Sequence, residues 1–120
     1  MFLEDELFAI ESGFWLSGEA HFLAHLADEC LLAFPQAGET HGVLPRDQVA
    51  ATATLANRWR ELRMDRRLML RPHDEMAILS YRAEVTRADG QPYAALVSSA
   101  YVKGADGWRL VFHQHSPVQA

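Results

Sequence analysis

The sequence predicts an α+β domain, with the helices in its first half and the strands in its second half. Apolar residues recur at steps of three and four up to about Trp59, and from Glu61 onward the period changes to two. Helices in one block and strands in another are typical of an α+β fold rather than of alternating βα units. With 120 residues the chain has room for one domain, which we place at residues 1–120.

Three helices are predicted, and the first is the longest. Its beginning is crowded with acids, which suit the positive end of the helix dipole: Glu4, Asp5, Glu6 and Glu11. The proline at position 45 is suited to the first turn of the third helix. The predicted helices run from about Leu3 to Ser17-Gly18, from Gly18-Glu19 to about Leu26, and from Pro45 to about Asn57.

A short strand and a turn separate the second helix from the third. Residues Cys30–Phe34 are apolar and are predicted to form a buried strand, in which the only cysteine, Cys30, would be an inert core thiol. Pro35–Gly42 is rich in turn-forming residues and is predicted as a loop.

The second half predicts long antiparallel strands joined by tight turns. Ala88-Asp89-Gly90-Gln91 and Gly104-Ala105-Asp106-Gly107 are turn sequences. The predicted strands cover about 61–71, 77–85, Tyr93–Lys103 and Trp108–His115. Consecutive strands with such connections form an antiparallel meander, against which the helices would pack.

The last two strands are apolar on both faces, which predicts a homodimer. Leu96, Ala100 and Val102 alternate with Ala95, Val97 and Tyr101. A sheet with one solvated face would show polar residues there. Because no unassigned helix remains to cover the second face, we expect a second copy of the chain to cover the convex side of the sheet.

The order of these elements, together with the final segment Gly107–Ser116, resembles the nuclear transport factor 2-like superfamily. Ser98–Val102 and Leu79–Arg82 add to the resemblance, which is greatest to SnoaL-like domains and small bacterial domains of unknown function. The last strand also resembles that of the association domain of calcium/calmodulin-dependent protein kinase. The resemblance implies a cone-shaped curved sheet with a pocket between its concave face and the helices. It does not fix an activity, since the superfamily includes isomerases, dehydratases, cyclases and assembly modules.

Composition and charge exclude several functional classes. The formal charge of −5 disfavours binding to nucleic acids and anionic membranes. The amino terminus lacks the basic start and long apolar run of a signal peptide, so a soluble cytoplasmic protein is expected. No Gly-rich phosphate loop, Ser-His-Asp spacing or paired-cysteine motif occurs, and no cofactor is expected. The arginines between residues 58 and 71 are interpreted as a salt-bridged strand surface.

A small-molecule pocket is predicted where the helices lie over the wide end of the sheet. Aromatic walls with a few polar groups are typical of such pockets. The predicted lining residues are Trp15, Trp59, Tyr81, Ser99, Tyr101, Phe112 and Gln114.

The direction of the last strand's side chains decides whether histidines belong to this pocket. Phe112 and Gln114 lie on the same face of the strand as Trp108. This is the more apolar face, so they are predicted to face inward. His113 and His115 would then lie on the dimer face; the opposite parity would make them pocket bases or hydrogen-bond donors. They could also form half of a metal site, but no third ligand is indicated by spacing, and no metal is predicted.

The other histidines and the strand carboxylates are less well supported as site residues. His21 and His25 share a helix face but lack the His-Glu-x-x-His pattern of a zinc site. Strand carboxylates such as Glu84 face away from the predicted pocket, which disfavours a steroid-isomerase-like base on the sheet.

Three functions therefore remain open. The first is a dimeric domain that binds an unidentified small molecule. The second is a cofactor-free isomerase, dehydratase or cyclase that uses a strand histidine with Tyr81 or Tyr101. The third is an assembly module, whose cavity would be filled with side chains.

Overall fold

The computed structural model describes residues 2–34 and 41–118. Helices α1 to α3 span Leu3–Leu16, Glu19–His25 and Arg46–Ala51, and a short 3₁₀ helix spans Leu55–Asn57. Strands β1 to β6 span Leu26–Ala33, His41–Pro45, Arg60–His73, Met76–Thr86, Pro92–Gly104 and Gly107–Pro117. The predicted α+β class, with a long first helix and a meander of four long strands at the end, is confirmed.

The strands form one curved, unclosed sheet in the order β2-β1-β6-β5-β4-β3. All neighbouring pairs are antiparallel except β1 and β6, which are parallel. Strand β2 and the parallel pairing were not predicted. Of the predicted loop Pro35–Gly42, residues 35–40 lie outside the described part of the chain, and residues 41–42 begin β2. The predicted third helix is shorter than expected, since α3 ends at Ala51.

The core lies between the concave face of the sheet and the helices. Strand β4 alternates buried and half-buried residues over its whole length, as its sequence predicted. Three bulges interrupt β3, and the residues Glu61 and Arg66 adopt positive φ angles of 58° and 54° at the first two. The curvature of the sheet leaves room for α1, whose Phe8 packs edge-on against Tyr81 of β4.

A bulge at Val111 changes the face of the sheet to which the later side chains of the last strand point. Tyr101 pairs with Leu110, but the preceding Ala100 pairs with Phe112, so Val111 is an extra residue in β6. An extra residue shifts all later side chains to the opposite face. The prediction that Phe112 and Gln114 face inward was therefore wrong: they lie on the convex face.

The convex face carries exposed apolar side chains, as predicted for β5. Leu96 and Val102 are 46% and 39% exposed, and on the same side of β3 Leu68 and Leu70 are 67% and 63% exposed. Across the described residues, no helix is long and apolar enough to cross a bilayer.

Candidate functional site

The centre of the concave face holds a completely buried carboxylate, Glu11 of α1. Tyr81 donates a hydrogen bond to its Oε2 at 2.5 Å, and Ser99 donates to the same oxygen at 2.6 Å. Tyr101 donates to Oε1 at 2.6 Å. The Nε1–H of Trp15 donates to the hydroxyl of Tyr81 at 2.9 Å, which fixes the direction of that hydroxyl. A buried charge persists only when its lone pairs are satisfied in this way.

Glu11 is held in its charged form. Burial alone raises its pKa, but the charge of His113 and the hydrogen bonds from His113, Ser99 and Tyr101 outweigh burial, so the pKa lies below the usual value. Burial, followed by the charge of Glu11, raises the pKa of Tyr81 and of Tyr101 well above the usual value. The two tyrosines therefore remain neutral donors to a carboxylate.

Two histidines of β6 continue this network towards the helices. Nδ1 of His113 lies 2.7 Å from Oγ of Ser99 and 3.3 Å from Oε2 of Glu11. Nε2 of His113 lies 2.9 Å from Nε2 of His115. Nδ1 of His115 lies 3.2 Å from the hydroxyl of Tyr93. The ring of His115 also stacks on Trp15 at 4.8 Å with an angle of 8°.

The hydrogen bonds of this network all run in one direction, from Tyr93 towards Glu11. Because Ser99 gives its single proton to Glu11, its oxygen accepts the hydrogen bond from Nδ1–H of His113. In the neutral pair, Nε2 of His113 then accepts from Nε2–H of His115, and Nδ1 of His115 accepts from Tyr93. A proton added at Nδ1 of His115 can thus move its charge to His113, beside Glu11.

His115 itself does not carry a charge at rest. Burial lowers its pKa, and the charges of His113 and Arg87 lower it further, to about 2. His115 is thus a neutral imidazole whose basicity depends on passing a proton inward.

Above the histidines lies an open cavity of about 580 Å³. This volume is within the range of roughly 300–1,000 Å³ typical of small-molecule pockets. The wall is largely aromatic and aliphatic, with polar groups from α3 and from the segments before β3 and β5. Its lining includes Phe14, Trp15, Phe22, Leu26, Leu32, Phe34, Val49, Trp59, Tyr93, Leu110, His113 and His115, together with Gln48, Thr52, Asn57, Arg58, Arg87 and Asp89.

The structure divides the predicted pocket residues into three groups. Trp15 and Trp59 line the cavity and contact each other edge-on at 5.1 Å. Tyr81, Ser99 and Tyr101 lie in the buried network around Glu11 rather than in the wall. Phe112 and Gln114 lie on the opposite face, whereas the alternative pair, His113 and His115, lines the cavity. Whether any of these residues binds a ligand stays a prediction.

Glu11 was missed as a site residue, because a functional carboxylate was expected only on the strands. A signal was present in the sequence: Leu7, Phe8, Phe14 and Trp15 form the buried stripe of α1, and Glu11 is in the middle of it, four residues from both Leu7 and Trp15. A charged residue at the centre of an apolar helix face is expected to be buried and partnered.

The other sequence candidates lie outside this network. Nε2–H of His21 donates to the carbonyl oxygen of Ile10 at 2.9 Å, so His21 joins α2 to α1. His25 lies beside it, with ring centroids 4.5 Å apart. Cys30 is buried, as predicted, and burial followed by the charge of Glu11 raises the pKa of its thiol to about 12. In the part of the chain that the structure describes, no three metal-ligating side chains come together.

No protein-family model and no curated protein sequence matches the chain. Solved structures do match, including an NTF2-like protein from Cytophaga hutchinsonii, with a TM-score of 0.76 and 11% identity over 98% of this chain and 100% of that one. A candidate ketosteroid isomerase from Parabacteroides distasonis matches with a TM-score of 0.74 and 10% identity, covering 98% of this chain and 89% of that one.

A candidate calcium/calmodulin-dependent kinase II association domain from Exiguobacterium sibiricum has a TM-score of 0.76 and 12% identity, over 97% of this chain and 91% of that one. At these identities the likeness concerns the fold alone. The predicted resemblance is confirmed at that level: the chain has the nuclear transport factor 2-like cone fold.

Proposed function

We propose that this domain binds a small, largely apolar molecule in the cavity and transfers a proton on it, with His115 as the general base. The observation that carries the proposal is the connection of His115, in the cavity wall, through His113 to the buried Glu11. General acid–base catalysis needs a base within hydrogen-bond reach of the substrate and a place for the resulting charge. His115 provides the first, and His113 beside Glu11 provides the second.

The proton transfer would proceed as follows. A bound carbon acid displaces the hydroxyl of Tyr93 from His115 and gives its C–H proton to Nδ1, while the electron pair moves to the adjacent carbonyl oxygen. Nε2–H of His115 passes to Nε2 of His113 at the same time. The displaced Tyr93 hydroxyl can donate to the new oxyanion, and returning the proton to another carbon gives an isomerised product. The step needs no cofactor.

An assembly module is less well supported. Such a module was expected to fill its cavity with side chains, whereas about 580 Å³ remain open here. The exposed convex face nevertheless favours a homodimer, because Leu96 and Val102 would be removed from water by a second copy. We therefore propose dimerisation through that face alongside ligand binding, in a soluble cytoplasmic protein.

Solvent exchange provides the test of catalysis. The purified protein is incubated in D₂O with cyclic ketones, beginning with 2-indanone and 3-cyclohexenone, and loss of the α-proton signals is followed by NMR. We expect exchange faster than in buffer for the wild type and exchange at the buffer rate for His115→Ala. Gln114→Ala, a neighbour on the opposite face, is the matched control and should keep the wild-type rate. Equal rates for the wild type and His115→Ala would refute the assignment of the base.

A further inference from the structure

Among the described residues, one cation in the cavity wall has no carboxylate partner. Arg58 lines the cavity and is half-buried. Nη1 donates to the carbonyl oxygens of Phe14 and Ser17 at 3.0 and 3.2 Å, and Nε and Nη2 donate to Oδ1 of Asn57 at 3.2 and 3.0 Å. Within the described ranges, no carboxylate forms an ion pair with Arg58, and one Nη2 hydrogen is not used. The full positive charge remains, because carbonyl and amide oxygens carry only partial charges.

This arrangement is costly without a ligand. Burial lowers the pKa of Arg58, which reflects the loss of hydration around its charge. The bonds to the end of α1 hold the guanidinium in place and complement the helix dipole, but they do not neutralise it. A fixed, partly desolvated guanidinium in a cavity wall is suited to bind an anion.

The charges around Arg58 favour a single negative charge on the ligand. Among the residues that the structure describes, the wall has three charged Lys, Arg, Asp or Glu side chains, namely Arg58, Arg87 and Asp89. Two cations and one anion leave one net positive charge, although the whole chain carries −5. Arg87 lies over the ring of Trp59 at 5.3 Å, and Arg58 precedes Trp59 in the sequence.

The wall beside these charges is shaped by aromatic rings. Trp59 contacts Trp15 at 5.1 Å and Tyr93 at 5.1 Å, and Phe34 contacts His115 at 4.8 Å. Aromatic rings pack favourably on the faces and edges of other flat rings. The cavity therefore combines a positively charged side with an aromatic interior that ends at His115.

We propose that the ligand is a monoanion, a planar ring system that bears one carboxylate, with the carboxylate at Arg58 and Arg87 and the ring directed towards His115. This inference rests on the proposed function, since it concerns the same cavity, and it specifies the chemical class of the ligand. Neutral ring systems of the same shape would bind less tightly, because they leave the charge of Arg58 without an anionic partner.

The experiment compares 2-naphthoate with the neutral 2-naphthamide by isothermal titration at low ionic strength. The wild type should bind the naphthoate about tenfold or more tightly than the amide, as expected for a charge-assisted hydrogen bond. Arg58→Gln should remove most of the preference for the naphthoate, with Arg87 retaining the rest, and should leave amide binding unchanged. Arg58→Lys, which keeps the charge, should restore most of the preference.

Two further variants keep the test decisive. Arg67→Gln is the matched control, since Arg67 lies over Phe8 outside the cavity, and it should not change either affinity. Asp89→Asn removes the acidic group of the wall and keeps the Oδ1 that accepts the backbone N–H of Gln91, so naphthoate should bind more tightly. This variant decides the question if Arg58→Gln fails to fold, which a thermal melt would show.

The outcomes separate the two proposals. Equal binding of naphthoate and naphthamide overturns the anion inference and leaves the proposed function standing. The anion inference is likewise overturned if Arg58→Gln and Arg67→Gln weaken naphthoate binding equally, or if Asp89→Asn does not strengthen it. Failure of the folded wild type to bind either probe overturns the inference and also contradicts an aromatic ligand cavity.

Discussion

Nε2 of His113 lies 2.9 Å from Nε2 of His115, so one ring donates a hydrogen bond and the other accepts it. The two rings cannot both be neutral donors at this contact, and two charges at this distance would repel strongly. The two rings are therefore joined by one hydrogen bond, and Glu11 lies on the inner side of the pair. This relationship supports the proposal that the β6 histidines transfer a proton together.

Replacement of Glu11 tests the energetic importance of the buried network. Glu11→Ala should lower the free energy of unfolding by about 3–5 kcal/mol, because three hydroxyl donors lose their acceptor and His113 loses the carboxylate beside it. Glu11→Gln should cost about 1–3 kcal/mol, since its amide group presents donors to donors. Urea unfolding at pH 7 measures both values, with the exposed Glu6→Gln as control. A loss below 1 kcal/mol for Glu11→Ala would contradict the description of the network.

The pH dependence of stability tests the state of His115. Its pKa is about 2 in the folded protein against a usual 6.5, so the unfolded chain binds a proton that the folded chain does not. This contribution to stability is fully present above pH 6.5 and decreases as the pH falls towards 2. Glu11 acts in the same direction, but only below its usual 4.5, because its folded pKa is lowered.

Between pH 6.5 and 4.5, His21 and His25 act in the same direction as His115, since burial lowers their pKa values too. The difference between the wild type and a variant at position 115 therefore isolates His115. His115→Phe keeps a ring against Trp15, but this ring cannot titrate. As the pH falls over this interval, the free energy of unfolding of the variant should therefore decrease less steeply than that of the wild type. Urea titrations at four pH values measure the two slopes. Identical slopes would show that His115 is as easily protonated in the folded state as in the unfolded chain.

The contact between α1 and α2 depends on a glycine in a helix. A Cβ on Gly13 would overlap the imidazole ring of His21. Alanine is otherwise favoured over glycine in helices by roughly 1 kcal/mol, but overpacking should outweigh this gain and make Gly13→Ala destabilising by about 1–3 kcal/mol. The double variant with His21→Ala should be more stable than His21→Ala alone, which thermal melts can compare. A Gly13→Ala variant more stable than the wild type would mean that His21 moves aside freely.

The dimer remains a prediction with a direct test. Sedimentation at micromolar concentration should give twice the mass of 13.5 kDa. Leu96→Asp places a charge on the convex face and should give a monomer, because an unpaired charge buried in an interface costs several kcal/mol. Leu23→Asp is the control, since Leu23 is 41% exposed on α2, which packs on the opposite side of the sheet. A wild type that sediments as a monomer would refute the interface.

The sequence was informative where local periodicity determines structure. The alternation of β4 and the apolar stripe of α1 follow from residue spacing, and both are present in the fold. The bulge at Val111 could not be predicted in this way, because it is defined by the pairing of β6 with β5. The pairing of Glu11 with Ser99, 88 positions away, likewise arises from tertiary packing. A single extra residue in a strand thus decided which side chains reach the cavity.

Histidine NMR tests most directly the central claim that His115 in the cavity wall is coupled through His113 to Glu11. In protein labelled with ¹⁵N, we expect His115 to stay neutral from pH 8 down to pH 4, with one protonated and one unprotonated ring nitrogen. We also expect a scalar coupling between the two Nε2 atoms across their hydrogen bond, and this coupling should disappear in His113→Ala. Two histidines that titrate independently near 6.5, without that scalar coupling, would contradict the claim.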